Sequence, residues 1–357
     1  MTLQLDDFLN QAGEWLRGTG PEADIVISTR ARLARNVEGF PFAPHATLKQ
    51  KAEMERLIRG TLEEHKLLRG SLYINLEDCS TIERQFLVER HLISRDHANA
   101  EWTRGVAVAR KETISVMVLE EDHLRIQVLR SGMQPEESWD ELSGLDDQIE
   151  RHLTYSFSQE FGYLTACPTN AGTGLRLSVM MHLPALALTK QIQKVFQSLA
   201  QINFTVRGLY GEGTEASGHF FQISNQVTLG KSEAETVQEM KTAVPKIARH
   251  ERGWREKLIT EDRVRLEDRV WRSYGLIRHA RSITSEETLE HLSLVRLGVN
   301  LGLIPNLAIA TVNELFVFTQ PGHLQTLAGK PLDAGERDTV RADFIRHRLG
   351  GEAPKSA

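Results

Sequence analysis

Apolar positions change period several times along this chain. Residues 47–69 repeat them at helical spacing, through Leu48, Met54, Leu57, Ile58 and Leu62, and residues 81–94 do so again. Then the period drops to two. VAVAR (106–110), ISVMVLE (114–120) and HLRIQVL (123–129) alternate or run apolar between short polar turns, the pattern of an antiparallel meander. Residues 140–160 return to helix. In RLSVMMHL, Arg176, Ser178, Met180 and His182 face one way, and Leu177, Val179, Met181 and Leu183 the other, which predicts a strand with one buried face. FTVRG and HFFQI read as two more strands, flanking the loop GLYGEGTEASG.

Past residue 231 helical spacing takes over. SEAETVQEMKTAVPKIARHERGWREKL is a long helix that Pro245 should kink or break. EDRVRLEDRVWRSYGLIRHARSI follows. SEETLEHLSLVRLG opens on a Thr284/Glu287 capping pair and should close near Gly298. GERDTVRADFIRHRLG is the last helix, GEAPKSA a frayed tail, and no internal repeat is present. The pattern predicts a short amphipathic helix and Gly-Pro linker over 1–23, a mixed domain over 24–254 and an all-helical one over 255–357. The fold class is α+β.

Composition narrows the function. With 40% hydrophobic and 25% charged residues the chain is ordinary globular material, and its net charge of −5 argues against a protein that coats nucleic acid. No apolar run reaches the ~18 residues of a membrane span, and MTLQLDDFLN lacks the basic and apolar regions of a secretory leader. Cys79 and Cys167 are the only cysteines, too few for a disulfide framework, and no His/Cys grouping suggests zinc. A reducing cytoplasm is the expected compartment.

The chemistry concentrates in CPTNAGTGLR, residues 167–176. It combines a thiol, three residues able to hydrogen-bond turn backbone (Thr169, Asn170, Thr173), two glycines able to approach a ligand (Gly172, Gly174) and an arginine. Arg30, Arg32, Arg125, Arg176 and Arg207 all fall in or beside strand-like segments. On neighbouring strands they would share a face, costly unless a polyanion such as a triphosphate compensates them. Walker and dinucleotide glycine motifs are absent, so phosphate binding here would rest on arginine. Glu121 lies four residues before Arg125 and Glu212 five after Arg207. Carboxylates beside a phosphate site make sense if the second substrate is a cation. A guanidinium, with a pKa of about 12.5–13.8, needs a group to align it and accept its proton.

CPTNAGTGLR, EEDHLR, STRAR and RGLYGE, in this order and spacing, resemble the phosphagen kinase superfamily. VRGLYGEGTEASGHFFQISNQVTLGKSEAE and RDTVRA resemble its bacterial protein arginine kinase branch, and the likeness covers essentially the whole chain. It implies a phosphagen-kinase-like catalytic domain, an antiparallel sheet flanked by helices, followed by the helical domain. It implies an ATP site from Ser28, Thr29, Arg30, Ala31, Arg32, His91, Arg125, Arg176, Leu177, Ser178, Val179, Met180, Arg207, Gly208, Leu209, Tyr210, Gly211 and Glu212. Glu121 and Glu212 would be the catalytic carboxylates, with Cys167 assisting beside the guanidinium rather than acting as a covalent nucleophile. Arg337, Asp338, Arg341 and Ala342 would form an allosteric phosphoarginine pocket. Mg²⁺ would ride on the ATP phosphates without an all-protein cage.

The same resemblance implies protein substrates modified on arginine, marked during stress for an AAA+ unfoldase–protease. It also implies a zinc-binding activator protein, autophosphorylation and a homodimer built through the helical domain. Metabolite kinases of the superfamily carry a sizeable helical domain ahead of this region, whereas 27 residues precede Ser28 here. Tyr210 stands where they usually have another arginine. Both departures point to an open site that admits an arginine on a polypeptide. A kinase for free arginine and a non-catalytic phosphoarginine reader are the alternatives. Glu212 sits on a glycine-flanked loop, so Glu212→Ala should abolish transfer with little loss of fold; full activity in a single-turnover assay would refute its role.

Overall fold

The computed structural model describes residues 8–9, 11–68, 70–208 and 217–350. Eight strands form one antiparallel sheet. In chain order they are β1 (Val26–Arg35), β2 (Leu72–Asn75), β3 (Gly105–Val108), β4 (Ile114–Val118), β5 (Leu124–Ser131), β8 (Leu175–His182), β9 (Phe204–Gly208) and β10 (Phe220–Asn225). A separate two-stranded ribbon holds β6 (Phe157–Ser158) and β7 (Gly162–Tyr163). The main order is β2-β3-β4-β5-β1-β8-β10-β9, so the expected 106–129 meander forms one wing and β8, β10 and β9 the other. β1 joins them, pairing with β5 on one side and β8 on the other.

The helices are α1 (Leu48–Glu64), α2 (Thr81–Glu89), α3 (Arg95–Asn99), α4 (Pro135–Glu150), α5 (Pro184–Leu188) and α6 (Ile192–Gln201). Then follow α7 (Glu233–Glu261), α8 (Arg263–His279), α9 (Ser285–Asn300), α10 (Ile309–Phe318), α11 (Pro321–Ala328) and α12 (Ala334–Arg348). Thr47, Ser80, Ser232, Thr284 and Asp333 each cap a helix in a reciprocal box with the residue three ahead. One core packs Leu33, Ile126, Leu177 and Val179 of the sheet against Met54 and Ile58 of α1, Leu142 of α4 and Met240 and Val244 of α7. A second joins Ile27, Leu129, Met180 and Phe220 to the C-terminal helices.

Four expectations change. Helix α7 runs unbroken through Pro245, which forfeits one backbone hydrogen bond, because Val244, Ile247 and Ala248 beside it are buried. It also carries across residues 254–255, where the mixed region is expected to give way to the helical one. Strand β8 is buried on both faces, with Ser178 and His182 at 1% and 0% exposure, because the C-terminal helices cover the face alternation left to solvent. Helix α9 continues past Gly298 to Asn300; a Cβ at Gly298 would meet Val270 at 2.4 Å, so this glycine serves helix packing, not termination. The amphipathic helix expected over 1–23 falls partly outside the described residues; the described part holds a 3-10 turn, Glu14–Leu16, that buries Trp15 and Leu16.

Arg35 fastens β1 to what surrounds it. Its Nε and one terminal nitrogen donate to Asp146 of α4 at 3.0 and 2.7 Å, and the other terminal nitrogen to the Ala34 and Thr173 carbonyls. The guanidinium carbon lies 3.6 Å from the Tyr163 ring centre. Truncating one partner of such a buried pair strands the other charge. Asp146→Ala should therefore cost about 3–5 kcal/mol of stability, measured as a shift in the urea midpoint at unchanged slope; an unchanged midpoint would contradict this role.

Candidate active site

Five arginines converge because of strand register. Arg32 on β1 stands opposite Arg176 on β8 and Gln127 on β5, and Arg30 stands opposite Ser178 and Leu129. Arg125 is two residues before Gln127, and Arg207 on β9 stands opposite Gln222 on β10, itself opposite Met180. Directly opposed residues share a face, and alternate residues along a strand do too. All five therefore project from one face, with Ser28, Ser178 and Met180. Thr29, Ala31, Leu177 and Val179 alternate to the other face: the last three are core, and Thr29 Oγ1 donates to the Gly132 carbonyl at 2.7 Å. Those four contribute backbone shape to the expected nucleotide set, not side chains. Gly208 closes β9 opposite Phe221.

Among the described residues this face is short of negative charge. Arg125 is held by Glu120 at 2.5 Å and Glu121 at 3.3 Å. Arg30 donates to Gln222 Oε1 at 2.7 Å and Arg176 to Ser224 Oγ at 3.3 Å, both neutral acceptors. Arg32 Nε and Arg176 Nε are buried with no hydrogen-bond partner among the described residues. Burial, reinforced by Arg176 and Arg125, brings Arg30 down to about 10. Burial and the charges of Arg30, Arg125 and Arg176 push Arg32 well below the ordinary arginine value, with Glu120 offsetting only part. Burial and Arg207 lower Arg176. Orphaned planar donors in a row, strained by like charge, fit an extended polyanion.

Beside the arginines is a small cavity of about 20 Å³ lined by Trp15, Ser28, Arg30, His91, Leu129, Ser178, Met180 and Gln222. His91 has φ +59° and meets the Trp15 ring edge-on at 5.2 Å. Burial and the nearby Arg30 and Arg32 hold its imidazole down to about 3, so it is neutral.

At the other end, Asp122 ties the two loops expected to meet a guanidinium. Its Oδ1 accepts from Ala166 N at 2.7 Å and from Asn36 Nδ2 at 2.8 Å. That bond brings the residue after Glu121 to the residue before Cys167. Glu121 is 43% exposed in its side chain, and its carboxyl is raised by partial burial, with Asp122 and Glu120 adding to this and Arg125 opposing it. Cys167 is a free thiol whose Sγ lies 3.0 Å from Thr169 Oγ1. Leu209, Tyr210, Gly211 and Glu212 lie outside the described residues. The two glycines of CPTNAGTGLR approach protein rather than ligand: a Cβ on Gly172 (φ +100°) would sit 2.3 Å from the Thr228 carbonyl oxygen, and one on Gly174 (φ +68°) 2.7 Å from that of Ala34.

Sequence reasoning missed Glu120, Asp122, Gln222 and Ser224. Glu120 and Asp122 flank Glu121, so nothing local said which acid turns inward. Gln222 and Ser224 were foreshadowed by alternation in HFFQIS. On α12, Arg337 and Arg341 differ in exposure. Arg341 is buried, donating to the Thr319 and Ile283 carbonyls, Ser285 Oγ and Asp338. Arg337 and Asp338 are partly exposed, Arg337 donating to the Leu332 carbonyl at 3.1 Å, and Ala342 is buried.

Comparison with known proteins gives this geometry a family. The model "ATP:guanido phosphotransferase, C-terminal catalytic domain" matches residues 53–254, and "Protein-arginine kinase McsB C-terminal domain" matches residues 263–357. A protein-arginine kinase of Halothermothrix orenii is 46% identical across 97% of this chain and 99% of its own length. One of Symbiobacterium thermophilum is 48% identical across 94% and 96%. Among solved structures, the duplicated taurocyamine kinase of Schistosoma mansoni with bound transition-state-analogue components superposes with a TM-score of 0.60 at 29% identity. That match covers 69% of this chain and 35% of the taurocyamine kinase. An antiparallel sheet with one arginine-lined face, carried into a helical region that has its own family model, places the chain in the protein-arginine kinase family of ATP-dependent guanido phosphotransferases.

Proposed function

We propose that this kinase transfers the γ-phosphoryl group of ATP to guanidino nitrogens of arginine side chains in proteins. The observation that carries the reading is the shared face of Arg30, Arg32, Arg125, Arg176 and Arg207, on which Arg32 Nε and Arg176 Nε are buried without a partner among the described residues. These arginines hold the triphosphate, and the residues around His91 and Met180, next to them on the same sheet face, contact the rest of the nucleotide. Family membership implies a divalent cation. We take it to be Mg²⁺ on the phosphates, where it neutralises charge during transfer; among the described residues no cluster of His, Cys, Asp and Glu would hold a metal.

Glu121 and Glu212 clamp the arginine side chain. One guanidino nitrogen forms the N–P bond as the bond from phosphorus to the ADP oxygen breaks, and a carboxylate accepts the nitrogen's proton. Cys167 helps orient the guanidinium, with its loop held to the Glu121 turn by Asp122. The modified proteins are marked during stress for an AAA+ unfoldase–protease. A zinc-binding activator protein, autophosphorylation, a cytoplasmic setting and a homodimer through the helical region complete the proposal. For the allosteric phosphoarginine pocket, Arg337 and Asp338 supply the exposed contacts, while Arg341 and Ala342 hold the backing structure. The resemblance of RDTVRA to that branch supports this.

Incubating an unfolded model protein and free arginine separately with labelled ATP tests the reaction. The expected result is a one-phosphate gain on protein arginines that is lost in acid. Label on free arginine alone, or binding of phosphoarginine peptides without turnover, would overturn it. The arginine face makes a second prediction. Removing one charge relieves repulsion, so Arg32→Met should stabilise the nucleotide-free protein by about 1–4 kcal/mol, read as a higher melting temperature, and abolish further stabilisation by ATP. A lower melting point with ATP stabilisation intact would contradict the site.

A further inference from the structure

Helix α2 ends on an unusual residue. His91 N donates to the Val88 carbonyl at 2.9 Å and Leu92 N to that of Leu87 at 3.0 Å, the paired bonds that close a helix through a left-handed position. Glycine ordinarily takes that position; here it is His91, at φ +59°. Eight other described non-glycine residues adopt such a φ, so the role of His91 is read from where its ring and carbonyl lie. Its carbonyl accepts from Gln127 Nε2 at 2.7 Å, and its ring lines the small cavity with Ser28, Arg30 and Met180.

Two residues earlier, Glu89 reaches out of the catalytic region altogether. Its two carboxylate oxygens accept separately from Gly322 N at 2.7 Å and His323 N at 2.9 Å, in the first turn of α11. Gln85 Nε2 adds a third bond at 3.1 Å. The helices meet backbone to side chain: a Cβ on Gly322 would sit 2.7 Å from Phe86 N. His323 stacks between Phe86 and Phe318, at 5.3 and 4.4 Å. The helical side is itself braced, since Arg341 Nε donates at 2.8 Å to the carbonyl of Thr319, just before α11. Glu89 is buried at 6% exposure, and burial raises its carboxyl to about 7 against the pull of its three hydrogen bonds. Such a group is kept only where its bonds are needed.

We infer that Glu89 is a positioning residue for the proposed nucleotide site: by bridging the start of α11 it fixes the end of α2, and with it the left-handed His91. The helical region thereby sets the shape of the ATP site through a contact that touches no substrate. This inference rests on the placement of His91 beside the nucleotide.

ATP kinetics on the full chain test it, using Glu89→Gln, His91→Gly and the double variant. The amide that replaces the carboxylate keeps one acceptor oxygen and turns a donor toward a backbone N–H. E89Q should therefore raise KM for ATP on the order of tenfold with kcat little changed. Glu89→Asp, which keeps both acceptor oxygens on a shorter arm, should show a smaller rise and provides the same test if E89Q folds poorly. In the His91→Gly background the Glu89 change should have no further effect, because the side chain it positions is gone. If H91G leaves KM for ATP unchanged, the placement of His91 is wrong and the inference falls with it. If H91G raises KM but neither Glu89 variant does, or if the effects multiply independently, His91 stands and the Glu89 bridge is overturned.

Discussion

Repulsion among arginines that a sheet forces to share one face is the constraint on which the rest of this structure depends. Strand pairing leaves no freedom here: once β1 lies between β5 and β8, Arg32 must stand opposite Arg176 and two positions from Arg30. The protein meets the cost in part with Glu120 and Glu121 on Arg125 and with neutral acceptors on Arg30 and Arg176. Among the described residues the remaining imbalance favours an anion, since a ligand that neutralises the face gains what the empty fold loses.

Such a face needs a rigid support, and the support comes from outside the sheet. The Arg35–Asp146 bracket anchors β1 to α4, and Arg296 of α9 donates to the Ala23 and Asp24 carbonyls just ahead of β1 and to His182 Nδ1 at the end of β8. Like-charged groups would otherwise spread apart. The C-terminal helices are thus part of the structural basis of the site, not an appendage: they pack on Met180 and Phe220 of the same sheet face, beside the arginines, and contact α2 through Glu89.

The sequence made much of this legible. Period-two alternation located β8, β9 and β10, and Arg30 and Arg32, two apart, had to share a face. The reciprocal cap at Thr284 is local chemistry and so was read locally, whereas the one at Asp333 was not. What stayed hidden depends on distant partners. Nothing near Gly174 says that its backbone presses against Ala34, and nothing near Gly298 says that it faces Val270 rather than ending a helix. Alternation in RLSVMMHL marks two faces but not that both are covered. Glu89 reads as an ordinary surface acid at the end of an amphipathic helix until α11, more than two hundred residues later, arrives on top of it.

If the five arginines are a triphosphate site, affinity must follow phosphate count. Calorimetric titration of the wild-type protein with AMP, ADP and ATP measures this directly. The account predicts that affinity climbs at each added phosphate and that ATP binding weakens steeply as salt is raised. Binding of ATP no tighter than AMP, and indifferent to salt, would contradict it.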